Sequence, residues 1–127
     1  GLNIEPREYQ IYTKQQIPNI LKKNNVKIDP RPWLAAASVL PMRTNNYVVE
    51  DLIDWSNVPN DPIFELVFPQ PGMLDPNDLN HVIDLFSSDI SRVKMRDEME
   101  KIRNKMNINF FIFLETFLLV LMLKNNQ

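Results

Sequence analysis

Leu40-Pro41-Met42-Arg43-Thr44-Asn45-Asn46-Tyr47-Val48-Val49-Glu50-Asp51-Leu52-Ile53-Asp54-Trp55 shows in sixteen residues how this chain is built. An apolar run ends at Pro41, because proline has no N–H to continue a helix. Five polar or semi-polar residues, Arg43 to Tyr47, follow directly. Val48, Val49, Leu52 and Ile53 then recur at helical spacing while Glu50, Asp51 and Asp54 point elsewhere, which predicts a helix over Asn46 to Trp55. A polar stretch between two apolar helices must satisfy its hydrogen bonds. Asn side chains do this by mimicking backbone turns. The Arg43–Tyr47 stretch therefore reads as a structural joint.

The same plan repeats outward. Upstream, Asp29-Pro30-Arg31-Pro32 is a stiff connector, and Pro32 suits the first turn of an apolar helix, Trp33 to Leu40. Thr13 and Gln16 have capping-box spacing; Pro18 then interrupts, giving one turn, a kink and a short helix through Ile20 and Leu21. Downstream, Ser56 to Pro62 is a turn-rich loop. Ile63 to Phe68, rich in β-branched and aromatic residues, reads as a strand, ended by Pro69-Gln70-Pro71-Gly72. Asp75 is a helix N-cap with Pro76 and Asp78 in the first turn, and Leu79, Val82, Ile83 and Phe86 share a face. Ser88 or Asp89 would cap a helix over Ile90 to Met106, where Met95, Met99, Ile102 and Met106 share a face. Lys94–Glu98, Arg96–Glu100 and Asp97–Lys101 would pair across its wet side. The expected fold is mainly α, made of short, Pro-interrupted helices with at most one or two strands. It resembles a lobe that wraps another domain more than a self-sufficient bundle.

Composition removes whole classes of chemistry. The 127 residues contain no cysteine, one histidine and two glycines, with a formal net charge of −2. Without sulfur there are no disulfides, thiolate zinc sites, cysteine nucleophiles or cysteine-held iron–sulfur clusters. One histidine excludes an all-His metal site, and two glycines cannot build a phosphate-cradling Gly-rich loop. A near-neutral charge does not suit a phosphate-driven nucleic-acid binder, so no nucleic-acid partner is expected.

The two ends stand apart. Gly1-Leu2-Asn3-Ile4-Glu5 puts Glu5 where a myristoylation signal wants Ser or Thr. No basic-then-apolar leader opens the sequence, and no N-x-Ser/Thr sequon occurs, which points to a cytoplasmic chain. Ile108 to Leu123 reads INFFIFLETFLLVLML; thirteen of its sixteen residues are apolar. A spanning helix needs about 20 apolar residues, and a central acid such as Glu115 is costly in a bilayer. Three readings stay open for residues 108–123: a marginal membrane anchor flanked by Lys101, Arg103, Lys105 and Lys124, a helix or strand of a larger core, or a segment foreign to the body. The expected division is a body over 1–107 and an apolar tail over 108–127.

Candidate sites are few. Glu50 and Asp54, at i,i+4, could present paired carboxylates for acid–base work or a metal; a solvated helix face is the plainer reading. His81 has no histidine to share a metal with. Lys22, Lys23, Lys27 and Arg31 cluster near Trp33 and could meet phosphate, though a wet face beside an aromatic anchor is simpler. The Met95–Met106 series suits packing better than a partner groove. No residue is assigned a catalytic, cofactor-binding or metal role.

The Leu40–Trp55 stretch, with its Arg-Thr-Asn-Asn-Tyr-Val-Val block, resembles the amino-terminal part of the lysine 2,3-aminomutase family of radical S-adenosylmethionine isomerases. So does Val58-Pro59-Asn60-Asp61-Pro62-Ile63-Phe64 running into Phe68-Pro69-Gln70. The resemblance covers roughly residues 9–107. It implies an amino-terminal lobe preceding a partial α/β barrel, in an enzyme that moves an amino group between adjacent carbons of an amino-acid substrate. It further implies a 4Fe–4S cluster held by a C-x-x-x-C-x-x-C motif, S-adenosylmethionine, pyridoxal phosphate on a downstream lysine, and homo-oligomers. This sequence contains none of the cluster cysteines, so no catalytic residue of the family transfers onto it. The expectation is a truncated or frameshifted amino-terminal fragment of such a protein, not catalytically competent by itself. The alternatives are a non-enzymatic, tail-anchored interaction protein, with the membrane reached only through 108–123, or a lobe that binds an aminomutase subunit in trans.

Overall fold

The structure, a computed structural model, describes residues 7–106 and 108–125. The reading of Gly1 to Glu5 and the boundary at Asn107 lie outside the described residues. The element order is β1 (Ile11–Tyr12), a 3-10 turn (Lys14–Gln16), α1 (Ile17–Lys23), α2 (Arg31–Val39), β2 (Thr44–Asn45), a π-helical turn (Val48–Leu52), a 3-10 turn (Trp55–Asn57), α3 (Pro62–Val67), a 3-10 turn (Pro71–Met73), α4 (Pro76–Phe86), α5 (Arg92–Lys105) and α6 (Ile108–Asn125). The described chain is mainly helical, with a single antiparallel pair in which Ile11 faces Asn45 and Tyr12 faces Thr44.

Local sequence explains most helix starts. Thr13 N–H donates to the Gln16 side chain at 2.7 Å, within the expected capping box. Pro18 does not kink a helix; it sits in the first turn of α1, where its missing N–H has no partner to lose. At the other end of α1, Asn25 adopts a positive φ of 59°, and Val26 N–H reaches back to the Leu21 carbonyl at 2.9 Å. Asn tolerates this left-handed position better than most residues, and the bond satisfies a carbonyl the helix end leaves open. In α2, Pro32 again lies in the first turn. Asp75 Oδ1 accepts the Asn77 N–H at 2.8 Å, and Pro76 opens α4 as expected.

Four further expectations are corrected. Residues Ile63 to Phe68 are not a strand: Pro62–Val67 is helix α3, because the Asp61 carboxylate accepts the Phe64 N–H at 2.9 Å and Pro62 occupies the first turn. Phe64, Val67 and Phe68 then fall on one buried face. The helix over Asn46 to Trp55 is shorter and wider than expected. Ile53 N–H bonds to the Val48 carbonyl five residues back, at 3.2 Å, which buries Ile53 and turns Leu52 outward. The last body helix is capped by Ser91, whose Oγ accepts the Lys94 N–H at 3.2 Å, not by Ser88 or Asp89. Finally, the ion pairs seen on that helix differ from those expected: Glu98 meets His81 at 3.2 Å and Lys101 at 3.5 Å, and Lys105 meets Asp78 at 2.8 Å.

Two apolar clusters flank α2. One gathers α1, the π turn and α3 around Ile17, Leu21, Val48, Phe64 and Phe68. Phe64 stacks on Phe68 with ring centroids 4.6 Å apart, and Trp55 meets both edge-on while its indole N–H donates to the Val49 carbonyl at 2.7 Å. The other joins Ala35, Ala36, Val39 and Leu40 to Leu74, Val82, Met99, Ile102 and Leu114. Ala35 and Ala36 are fully buried. Their small side chains let neighbouring elements approach α2 closely. Arg103 closes the end of α2, its Nε donating to the Val39 carbonyl at 2.8 Å.

Candidate functional site

The joint read from the sequence is a densely hydrogen-bonded polar feature of the described chain. Thr44, Asn45 and Asn46 are buried, while Arg43 and Tyr47 are exposed. Asn46 Oδ1 accepts the Gln10 N–H at 2.9 Å and Asn46 Nδ2 donates to the Glu8 carbonyl at 3.0 Å. Its backbone N–H donates to the Gln10 carbonyl at 3.1 Å. Asn46 thereby extends the two-residue ladder toward the amino terminus. Asn45 Oδ1 accepts the Val48 N–H at 3.0 Å and starts the π turn. Tyr47 stacks against Tyr9, and its hydroxyl donates to the Arg7 carbonyl at 2.9 Å.

Arg7 completes the clamp. Its guanidinium lies 4.5 Å above the Tyr47 ring and bonds Glu50 at 2.6 Å and both carboxylate oxygens of Asp51. This fork geometry suits arginine rather than lysine. The hydrogen bonds from Arg7 hold the Asp51 carboxyl below its ordinary range, and the same bonds raise the Arg7 guanidinium above its own.

The other sequence candidates are dispersed. Glu50 faces Arg7, whereas Asp54 caps the next 3-10 turn, its Oδ1 accepting from Ser56 N–H at 3.1 Å. They form no paired-carboxylate site, because the helix meant to align them ends at Leu52. His81 is engaged by Glu98; that hydrogen bond, with Lys101 nearby, holds the Glu98 carboxyl below its ordinary range. Arg31 folds back on Asp29 at 2.7 Å and lowers that carboxyl. Lys22 and Lys27 line a shallow hollow between α1 and the connector. Met99 and Ile102 are buried in the second cluster with Met95 and Met106 packed against it, so the methionine series is packing.

Among the described residues no group of three or more His, Asp or Glu stands close enough to hold a metal ion. The donor chemistry does not fit an iron–sulfur cluster either, since the sequence supplies no thiolate.

Helix α6 is the second feature. Leu114 is buried in the second cluster, Leu118 packs beside it and Leu121 reaches the first cluster. The opposite side is bare: Ile112, Phe113, Leu119 and Leu123 are each more than half exposed. The tail is therefore apolar on a seated side and on an open side. No helix among the described residues is long and apolar enough to cross a membrane. Sequence reasoning missed Asp61, a carboxylate only 5% exposed that caps α3 and accepts the Asp54 N–H at 3.3 Å; its position just before Pro62 was the available signal. No protein-family model matches the chain, and neither a curated protein nor a solved structure does.

Proposed function

We propose that this chain is the amino-terminal lobe of a lysine 2,3-aminomutase-like radical S-adenosylmethionine protein, and that it serves by docking, not by chemistry of its own. The observation that carries the reading is the open side of α6. Ile112, Phe113, Leu119 and Leu123 are each more than half exposed on a helix already seated by Leu114, and large apolar side chains left in water on one helix mark an interaction surface. The blocks behind the resemblance support the same role. Asn46 clamps the amino-terminal segment and Asp61 starts α3, so both motifs serve the scaffold.

In this reading the lobe covers a cysteine-bearing catalytic barrel. That barrel holds the 4Fe–4S cluster, S-adenosylmethionine and pyridoxal phosphate and moves the amino group of an amino-acid substrate. The proposed setting is cytoplasmic. Co-purification of the chain with a separate subunit that carries a C-x-x-x-C-x-x-C motif tests the family assignment. Capture of such a subunit supports it; recovery of the chain without one contradicts it.

A further inference from the structure

A cavity of about 740 Å³ opens between the start of α5, the end of α4 and the 3-10 turn before α1. Four cations line it, Lys14, Arg92, Arg96 and Arg103, and no carboxylate does. Arg103 is committed to the Val39 carbonyl. Lys14, Arg92 and Arg96 form no ion pair among the described residues. In a chain of net charge −2, three cations outside any ion pair around one hollow are a local excess that attracts anions.

The hollow adds directional donors. Ser91 and Arg92 begin the fourteen-residue α5, whose first-turn N–H groups and dipole favour negative charge. Ser91 Oγ accepts the Lys94 N–H and keeps its own proton to donate. Ser38 and Ser88 do not compete for this role, since their hydroxyl protons go to the Leu34 and Leu85 carbonyls, each at 2.7 Å. The remaining wall is apolar: Leu85, Phe86, Met95 and Met99. Cations, a helix start and an aromatic–thioether lining around one hollow suit a ligand with an anionic head and a flat apolar body.

We infer that this cavity binds a small phosphate monoester, with the phosphate between Arg92, Arg96 and the Ser91 hydroxyl and the organic group against Phe86 and Met95. Arginine forks match phosphate oxygens in pairs. No residue of α6 lines this cavity, and Glu115 of α6 lines the adjoining hollow, which shares Lys14 and Arg103 with it but not Arg92 or Arg96, so the inference does not rest on the docking role.

Calorimetric titration of phenyl phosphate into the full chain tests it, with inorganic phosphate as the second probe. Saturable binding of phenyl phosphate is expected, several-fold tighter than inorganic phosphate. Arg96→Gln and Arg92→Gln should each weaken it about tenfold, the loss of a charge-assisted bond. Lys94→Gln, which removes a cation of the same helix outside the cavity, should leave it unchanged. No saturable binding overturns the site. So does equal weakening by Lys94→Gln, which would indicate general charge screening, and equal affinity for the two probes removes the apolar wall from the account.

Discussion

Asn46 holds both backbone groups of Gln10: its Oδ1 accepts the Gln10 N–H at 2.9 Å and its own N–H donates to the Gln10 carbonyl at 3.1 Å. A side chain here does the work of another rung in a two-residue ladder. Asn46→Ala removes the carboxamide and leaves Gln10 N–H and Glu8 C=O without their partner. A loss of about 1–3 kcal/mol is expected. Urea unfolding measures it, and limited proteolysis should show new cleavage between residues 7 and 12 in the variant.

The Arg7 clamp makes the same segment sensitive to acid. Asp51 has a folded-state pKa below that of the unfolded chain. Its contribution is complete above the ordinary aspartate value of about 4 and is lost as pH falls through the lowered folded value. Tyr9 and Tyr47 ring resonances should lose their mutual stacking shifts in that acid range. Arg7→Gln should abolish the transition, because the hydrogen bonds that lower Asp51 are gone.

Asp61 separates a cap from a charge. Asp61→Asn keeps one oxygen for the Phe64 N–H but turns its NH2 toward the Asp54 N–H, so it is expected to cost less than the alanine without being neutral. Asp61→Ala removes the cap of α3 and strands two N–H groups, for a loss of about 1–2 kcal/mol. Thermal melts of the two variants compare them; equal losses would show that the second carboxylate oxygen or its charge, not the cap of α3, is what counts.

Much of this architecture was legible because it is local. Thr13 with Gln16, Pro32, Asp75 with Pro76 and the proline stop at Pro41 each specify a helix end within a few residues. Ile63 to Phe68 was misread because a short apolar run fits a buried strand or a buried helix alike; Asp61-Pro62, just ahead of it, carries the deciding cap. The π turn was hidden because its wider hydrogen bond changes which of Leu52 and Ile53 is buried without changing the composition. Partners far apart in sequence were not legible at all. Nothing in the Arg43–Tyr47 block says that residues 7–12 lie on it, nothing near Glu98 points to His81, and only the fold brings Lys14 to Arg92 and Arg96. The polar joint itself was readable, since buried asparagines must find partners.

Helix α6 gives opposite expectations for its two sides. Leu114→Ala opens a hole beside Ala35 and Ile102 and should destabilise the fold by about 2–5 kcal/mol. Leu119→Lys, on the open side, should leave the melting temperature within experimental error.

Docking through that open side is the core of the account. The direct measurement is co-purification of the chain with an aminomutase-type, cysteine-bearing barrel stripped of its own lobe, comparing the wild type with Leu119→Lys. A stoichiometric complex with the wild type, lost in the folded variant, is the predicted result. No complex with either chain, or equal capture of both, would contradict it.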